Sequence, residues 1–146
     1  MRNGRSHGFT LMELAAVVAI LSLIAAFGMP TYDMFVRRAR TAEARAVLES
    51  LAHAELAYRR DHRRFLELPP NPPPAPGAQP HAAVDNAQWR ELGMPLRGDY
   101  WFQYSTEYSG GAWLVVARGD QNGDGLESRF TINLETLKLS TTDELE

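Results

Sequence analysis

The sequence predicts an α+β fold: a long amino-terminal helix, its first half in a membrane and its second half a stem, packed on a small antiparallel β-meander head. Three observations carry this. From Phe9 to Met29 nearly every residue is apolar or small, and Glu13 is the only charge. From Tyr32 to about Leu66 the chain is rich in Ala, Arg, Glu and Leu without Gly or Pro, a helical composition. After Asp99 short alternating or apolar runs are separated by turn residues. A chain of 146 residues holds one domain plus an appended element. The hydrophobic share of 45% is ordinary, but much of it is spent before residue 30. The absence of cysteine excludes disulfides, thiol catalysis and cysteine-ligated zinc, and the net charge of −3 makes no case for a general nucleic-acid binder.

Residues 1–8 form a short polar leader with Arg2 and Arg5, and residues 9–30 form the membrane half of the helix. An apolar run of about 21 residues spans a ~30 Å hydrocarbon core. It exceeds the ~7–15 residues of a cleaved secretory signal, and no Ala-x-Ala site ends it. Arg2 and Arg5 predict a cytoplasmic amino end, although Arg37, Arg38 and Arg40 beyond the span compete with that orientation. A carboxylate inside such a segment costs ~2.5 kcal/mol or more at the bilayer centre, so Glu13 reads as a residue with a task; the plainer reading seats it among lipid headgroups. Pro30 lacks an amide hydrogen and clashes with the carbonyl of Ala26. With Gly28 beside it, this predicts a bend or local unwinding, or simply the point of membrane exit.

The order Gly8, Phe9, Thr10, Leu11, Glu13, followed by Pro30, resembles the class III signal of type IV prepilins and type II secretion pseudopilins. The resemblance is tight from about Arg5 to Arg40 and architectural beyond. It implies a pilin-like fold, cleavage between Gly8 and Phe9 by a membrane aspartyl prepilin peptidase, and N-methylation of Phe9. It further implies polymerisation with itself and other pilins, from an inner-membrane assembly platform, into an extracellular helical filament. A pseudopilin would instead build a short periplasmic pseudopilus of a secretion or DNA-uptake machine. The missing cysteine pair departs from many type IVa pilins and tilts toward that alternative. In either case Glu13 would reach back to its own first turn, or pair with the Phe9 amine of a neighbouring copy, each charge offsetting the other's desolvation. Pro30 would open a spring-like segment in the assembled fibre. A third class, a single-pass binding protein that never polymerises, leaves Glu13 without a purpose.

The stem, residues 31–68, places Val47, Leu51, Ala54, Tyr58 and Phe65 on one stripe that would bury against the head. Ala39, Ala42, Ala44 and Ala46 would admit other helices closely. Anchor and stem together make a helix of ~55 residues, ~80 Å long at 1.5 Å per residue, too long to bury in so small a domain. Between Arg37 and Arg64 eight arginines face four acids, whereas from Asp85 onward five bases meet eleven acids. This is either a solvated face or a basic stem that meets acidic heads when copies pack. Residues 69–84 begin with a proline-rich stretch that ends the helix, as a stiff surface connector or a polyproline ligand.

Residues 85–146 form the head. Asp85 to Leu92 predicts a short helix capped by Asp85 or Asn86, with Trp89 and Leu92 inward. Asp99 to Glu107 alternates Tyr100, Phe102 and Tyr104 against Trp101, Gln103 and Ser105. Ser109-Gly110-Gly111 turns the chain into a central strand, Ala112 to Arg118. Arg129 to Asn133 and Thr136 to Leu139 follow, joined through Leu134 and Glu135. Asp120, Asn122 and Asp124 alternate before Gly125 as in a calcium loop, but Thr131 stands where such loops need a glutamate, leaving Glu127 or Ser128 as the substitute; otherwise no cofactor is implied. The same Asn-Gly and Asp-Gly steps are also ordinary turn residues. His7, His53, His62 and His81 are scattered without a nucleophile or metal-ligand set, and no phosphate loop follows a strand, so the chain does not read as an enzyme. The arginine-rich stem lacks the interleaved aromatics of a nucleic-acid surface.

Overall fold

A computed structural model describes residues 9–74 and 77–142, with the side chains of residues 28–31 outside the description. The leader and Gly8 therefore lie outside the described residues. Helix α1 runs from Leu11 to His62, followed by β1 (His81–Ala82), α2 (Ala87–Glu91), β2 (Asp99–Tyr100), β3 (Gln103–Ser109), β4 (Ala112–Gly119), β5 (Ser128–Asn133) and β6 (Leu139–Thr142). The chain divides into two compact units, one ending at Arg38 and one beginning at Ala39.

The first unit holds the amino-terminal part of α1. Its apolar side chains face outward, with Leu11 88% and Phe27 77% exposed. An 18-residue window of α1 is apolar enough to cross a membrane, and none of it is buried. The Ser22 hydroxyl donates to the Val18 carbonyl at 2.7 Å, which satisfies a polar group within an otherwise apolar stretch. The backbone is helical across residues 28–31. The unwinding expected at Gly28–Pro30 is thus absent from the single chain.

The second unit is the head with the remainder of α1. Strands β3-β4-β5-β6 form an antiparallel meander with β4 and β5 central, as the apolar run at 112–118 predicts for β4. Gly110 and Gly111 both have positive φ (59° and 83°), the requirement of a two-residue turn whose twist matches the strands it joins. The inner face presents Tyr104, Val115, Ala117, Phe130 and Ile132 to a core completed by Trp89, Leu92, Phe102, Leu134 and the stem. The stem's fully buried positions are Ala44, Leu48, Leu51 and Glu55, with Ala52 and Tyr58 nearly so. Val47 and Ala54, expected on the stripe, are only partly buried at its flank. Ala44, expected to admit a neighbouring helix, fills this core instead, while Ala39, Ala42 and Ala46 are exposed.

Several boundaries differ from the sequence reading for identifiable reasons. α1 stops at His62, four residues early, because Arg63 adopts a left-handed φ of 61° and the chain turns back to bury Phe65 and Leu66. The strand expected over Asp99–Glu107 breaks at Trp101–Phe102. Gly119 permits that kink: a side-chain carbon there would lie 2.7 Å from the Phe102 ring and 2.9 Å from the Trp101 carbonyl oxygen. Phe102 consequently meets Phe130 edge-on, with ring centres 5.7 Å apart. β2 pairs instead with β1, His81 opposite Tyr100. The last strand begins at Leu139 rather than Thr136. Asn133 Oδ1 accepts the Glu135 and Thr136 amides at 2.8 and 3.1 Å and so nucleates a wider turn.

The segment after α1 is not a surface connector throughout. Asn71 and Tyr104 exchange backbone hydrogen bonds at 2.9 and 2.8 Å, and Asn71 is buried. Its side chain also exchanges two bonds with the Val84 backbone, both 2.9 Å. Residues 66–71 thereby cover the edge of β3 that would otherwise stand unpaired. On the outer sheet face Glu107 receives Arg118 at 2.5 Å and Arg129 at 2.8 Å, and the register sets the Ser105–Val116 pair between Glu107 and Arg118. Val116 is fully buried there although it faces away from the stem.

Candidate assembly site

The first turn of α1 is organised by Thr10 and Glu13. Glu13 Oε2 accepts the Thr10 amide and the Thr10 hydroxyl, each at 2.9 Å. The Glu13 amide in turn donates to Thr10 Oγ1 at 3.2 Å. This reciprocal pairing is a capping box: the residue before the helix and the third residue inside it satisfy each other's orphan amides. The Thr10 carbonyl then accepts the first helical bond, from Leu14 at 3.1 Å. Glu13 does reach back within its own first turn, but its partner there is Thr10 and not the Phe9 amine. The sequence reading quoted Thr10 only as a motif residue, although Thr-x-x-Glu before an apolar run is itself the capping signal.

Phe9 precedes the box and is 78% exposed. Glu13 Oε1 takes part in none of the hydrogen bonds among the described residues. The site thus presents an exposed aromatic, a preformed helix start and one uncommitted carboxylate oxygen, followed by an uncovered apolar helix. Pro30 lies within α1 by backbone, and its side chain is outside the description.

The loop between β4 and β5 gathers the residues of the calcium expectation. Asp120 is 8% exposed, and its two oxygens accept the Gly123 and Gly125 amides at 2.6 and 3.0 Å. Asn122 donates to Asp124 at 2.7 Å, and Asp124 accepts the Leu126 amide at 2.7 Å. Glu127 is exposed. As arranged, these oxygens serve their own loop, and among the described residues no three His, Asp or Glu side chains converge to hold a metal. Gln121 ties the loop to the stem by donating to Thr41 at 3.3 Å.

Elsewhere His62 stacks on Tyr58 with ring centres 4.0 Å apart, while the Tyr58 hydroxyl donates to Glu91 at 2.5 Å. Arg40 lies over the Trp101 ring, 3.3 Å from its centre, a cation–π contact at the start of the stem. Glu55 is the residue the sequence reading passed over. It is fully buried among the stem's apolar positions, and its signal is an acid at helical spacing between Leu51 and Tyr58.

Residues 3–29 match the family described as the prokaryotic N-terminal methylation motif. The chain is 36% identical over 66 residues to the type IV major pilin protein PilA of Myxococcus xanthus strain DK1622, covering 45% of this chain and 30% of that protein. It is 35% identical over 65 residues to the type IV major pilin protein PilE1 of Neisseria gonorrhoeae, covering 44% of this chain and 39% of the relative. With the type IV major fimbrial protein FimA of Dichelobacter nodosus the identity is 43% over 44 residues, 30% of this chain and 28% of that one. The chain thus spans about a third of the length of these curated relatives. No solved structure matches it. The methylation motif, the relatives and the long apolar helix ahead of a small antiparallel sheet make this chain similar to type IV pilins, with the sequence likeness confined to its amino-terminal part.

Proposed function

We propose that the chain is a structural subunit of a type IV pilus, and not an enzyme. In this reading prepilin peptidase cleaves after Gly8, Phe9 is N-methylated, and the subunit waits in the inner membrane with its amino end at the cytoplasmic face. The assembly platform then adds it to a helical filament of like subunits. The observation that carries the reading is the uncovered apolar helix that opens with Thr10 and Glu13. Its side chains require lipid before assembly and neighbouring helices afterwards. Glu13 pairs with the Phe9 amine of an adjoining copy, which offsets the desolvation of both charges. Mass spectrometry of the mature chain tests the processing: it should begin at Phe9 and carry one added methyl group, and a start elsewhere would overturn the reading.

A pseudopilin of a secretion or DNA-uptake machine is the second reading, favoured by the absence of cysteine. Immunolabelling of sheared surface fibres separates the two. A pilus subunit is found in the fibres, and a pseudopilin stays in the envelope.

A further inference from the structure

We propose that Glu55 is a proton-operated latch that joins the stem helix to the segment leaving it and so holds that segment against the edge of β3. The side chain is fully buried. Oε2 accepts the Leu66 amide at 3.0 Å, across the turn that ends α1, while Oε1 has no hydrogen-bond partner among the described residues. On the far side of the same segment Thr106 of β3 completes the clamp. Its hydroxyl accepts the Leu68 amide at 2.6 Å and donates to the Leu66 carbonyl at 2.8 Å. Residues 66–68 are therefore gripped between one helix carboxyl and one strand hydroxyl.

A neutral carboxyl suits this place and a carboxylate does not, because a single amide cannot compensate a buried charge. Burial pushes the Glu55 acid up from 4.5 to about 7, and the Leu66 amide opposes that only in part. The charged and titratable groups on the surrounding elements are occupied elsewhere. Glu107 of β3 holds Arg118 and Arg129. Tyr58 pairs with Glu91 and is approached by Arg64, while His62 stacks on Tyr58. Arg45 and Arg59 lie over the Phe130 and Phe65 rings. The Tyr104 phenol is held neutral by its burial.

The sign follows from a folded-state acid weaker than the unfolded one. The stabilisation from protonating Glu55 is complete below pH 4.5 and is lost as pH rises through about 7. Ionisation draws water to Oε1, releases Leu66 and frees the edge of β3. The latch belongs to the head alone and holds whether or not the chain polymerises.

The test uses the full chain in detergent micelles. Amide exchange at Leu66 and Leu68, corrected for the intrinsic rate, should lose protection by roughly 50-fold between pH 5 and pH 8. Glu55→Gln, neutral at every pH and still an acceptor for Leu66, should flatten that dependence. A carbon-13 titration of the wild-type Glu55 carboxyl needs no variant and should show a midpoint near 7. Protection independent of pH, a carboxyl midpoint in the ordinary acid range, or the same pH dependence in Glu55→Gln would each overturn the latch.

Discussion

In the proposed pilus subunit, replacing Glu13 by Gln separates two tasks of one side chain, capping its own helix and pairing with the Phe9 amine of a neighbour. A glutamine keeps a carbonyl oxygen for the Thr10 amide and hydroxyl, which Glu13 Oε2 now receives at 2.9 Å, so the helix start survives. Glu13→Ala would remove only the glutamate half of the capping box, since Thr10 Oγ1 still accepts the residue-13 amide, at a cost of no more than about 1 kcal/mol. Losing the charge is a larger matter, because a cationic Phe9 amine brought into the helix bundle is then left without its counter-ion. That costs several kcal/mol, and even about 3 kcal/mol is more than a hundredfold in an assembly equilibrium. Glu13→Gln should therefore insert, be cleaved and be methylated normally, yet leave fibres reduced about a hundredfold. The assay is an immunoblot of sheared fibres against the membrane fraction, with the mature amino terminus checked by mass spectrometry. Wild-type fibre yield from Glu13→Gln would refute the argument and restrict Glu13 to capping its own helix.

Three further outcomes follow from the head. Gly119→Ala forces a carbon to within 2.7 Å of the Phe102 ring and 2.9 Å of the Trp101 carbonyl oxygen. Overpacking of this kind costs about 1–3 kcal/mol, and a thermal melt should fall by at least about 4 °C. Thr106→Val leaves the buried Leu68 amide and Leu66 carbonyl without their side-chain partner. A loss of about 2 kcal/mol or more is expected, read from denaturant unfolding. Millimolar calcium should leave the melting temperature unchanged, because Asp120 is engaged by Gly123 and Gly125, and Asn122 by Asp124. A rise of several degrees would show that the loop rearranges around the ion.

The elements most legible in the sequence were those whose side chains repeat with a period. The alternation and apolar runs of the head predict the meander, and Ser109-Gly110-Gly111 predicts its first turn, although Ser109 is still paired as the last residue of β3. Boundaries set by a single polar atom were not legible. Nothing in the spacing says that Asn133 will gather two amides and delay β6 to Leu139, or that Asn71 will leave the proline-rich stretch to pair with Tyr104. The stem shows the limit most plainly. Its stripe is centred one residue from where apolar counting puts it, because counting discards Glu55 as a surface charge when that acid is fully buried. At the amino terminus the motif residues were all readable, but the capping role of Thr10 was hidden behind its place in the motif.

Capping and pairing at Glu13 need not compete, and this bears on how a monomer becomes a filament subunit. Both bonds from Thr10 fall on Oε2, and Oε1 joins neither. An amine arriving from a neighbouring copy can therefore take Oε1 while the helix start stays intact, and it meets a carboxylate whose orientation is already fixed. The ordering cost of that side chain falls on the monomer, where the cap offsets it, rather than on the assembly step. The same division runs along the chain. The stem buries Ala44, Leu48 and Leu51 within its own head, whereas the longest run of exposed apolar side chains lies in the helix before it. In the proposed pilus subunit partner recognition would be left to an apolar sleeve and one half-committed acid, so that removing the charge, and not the hydrogen bond, is the decisive perturbation.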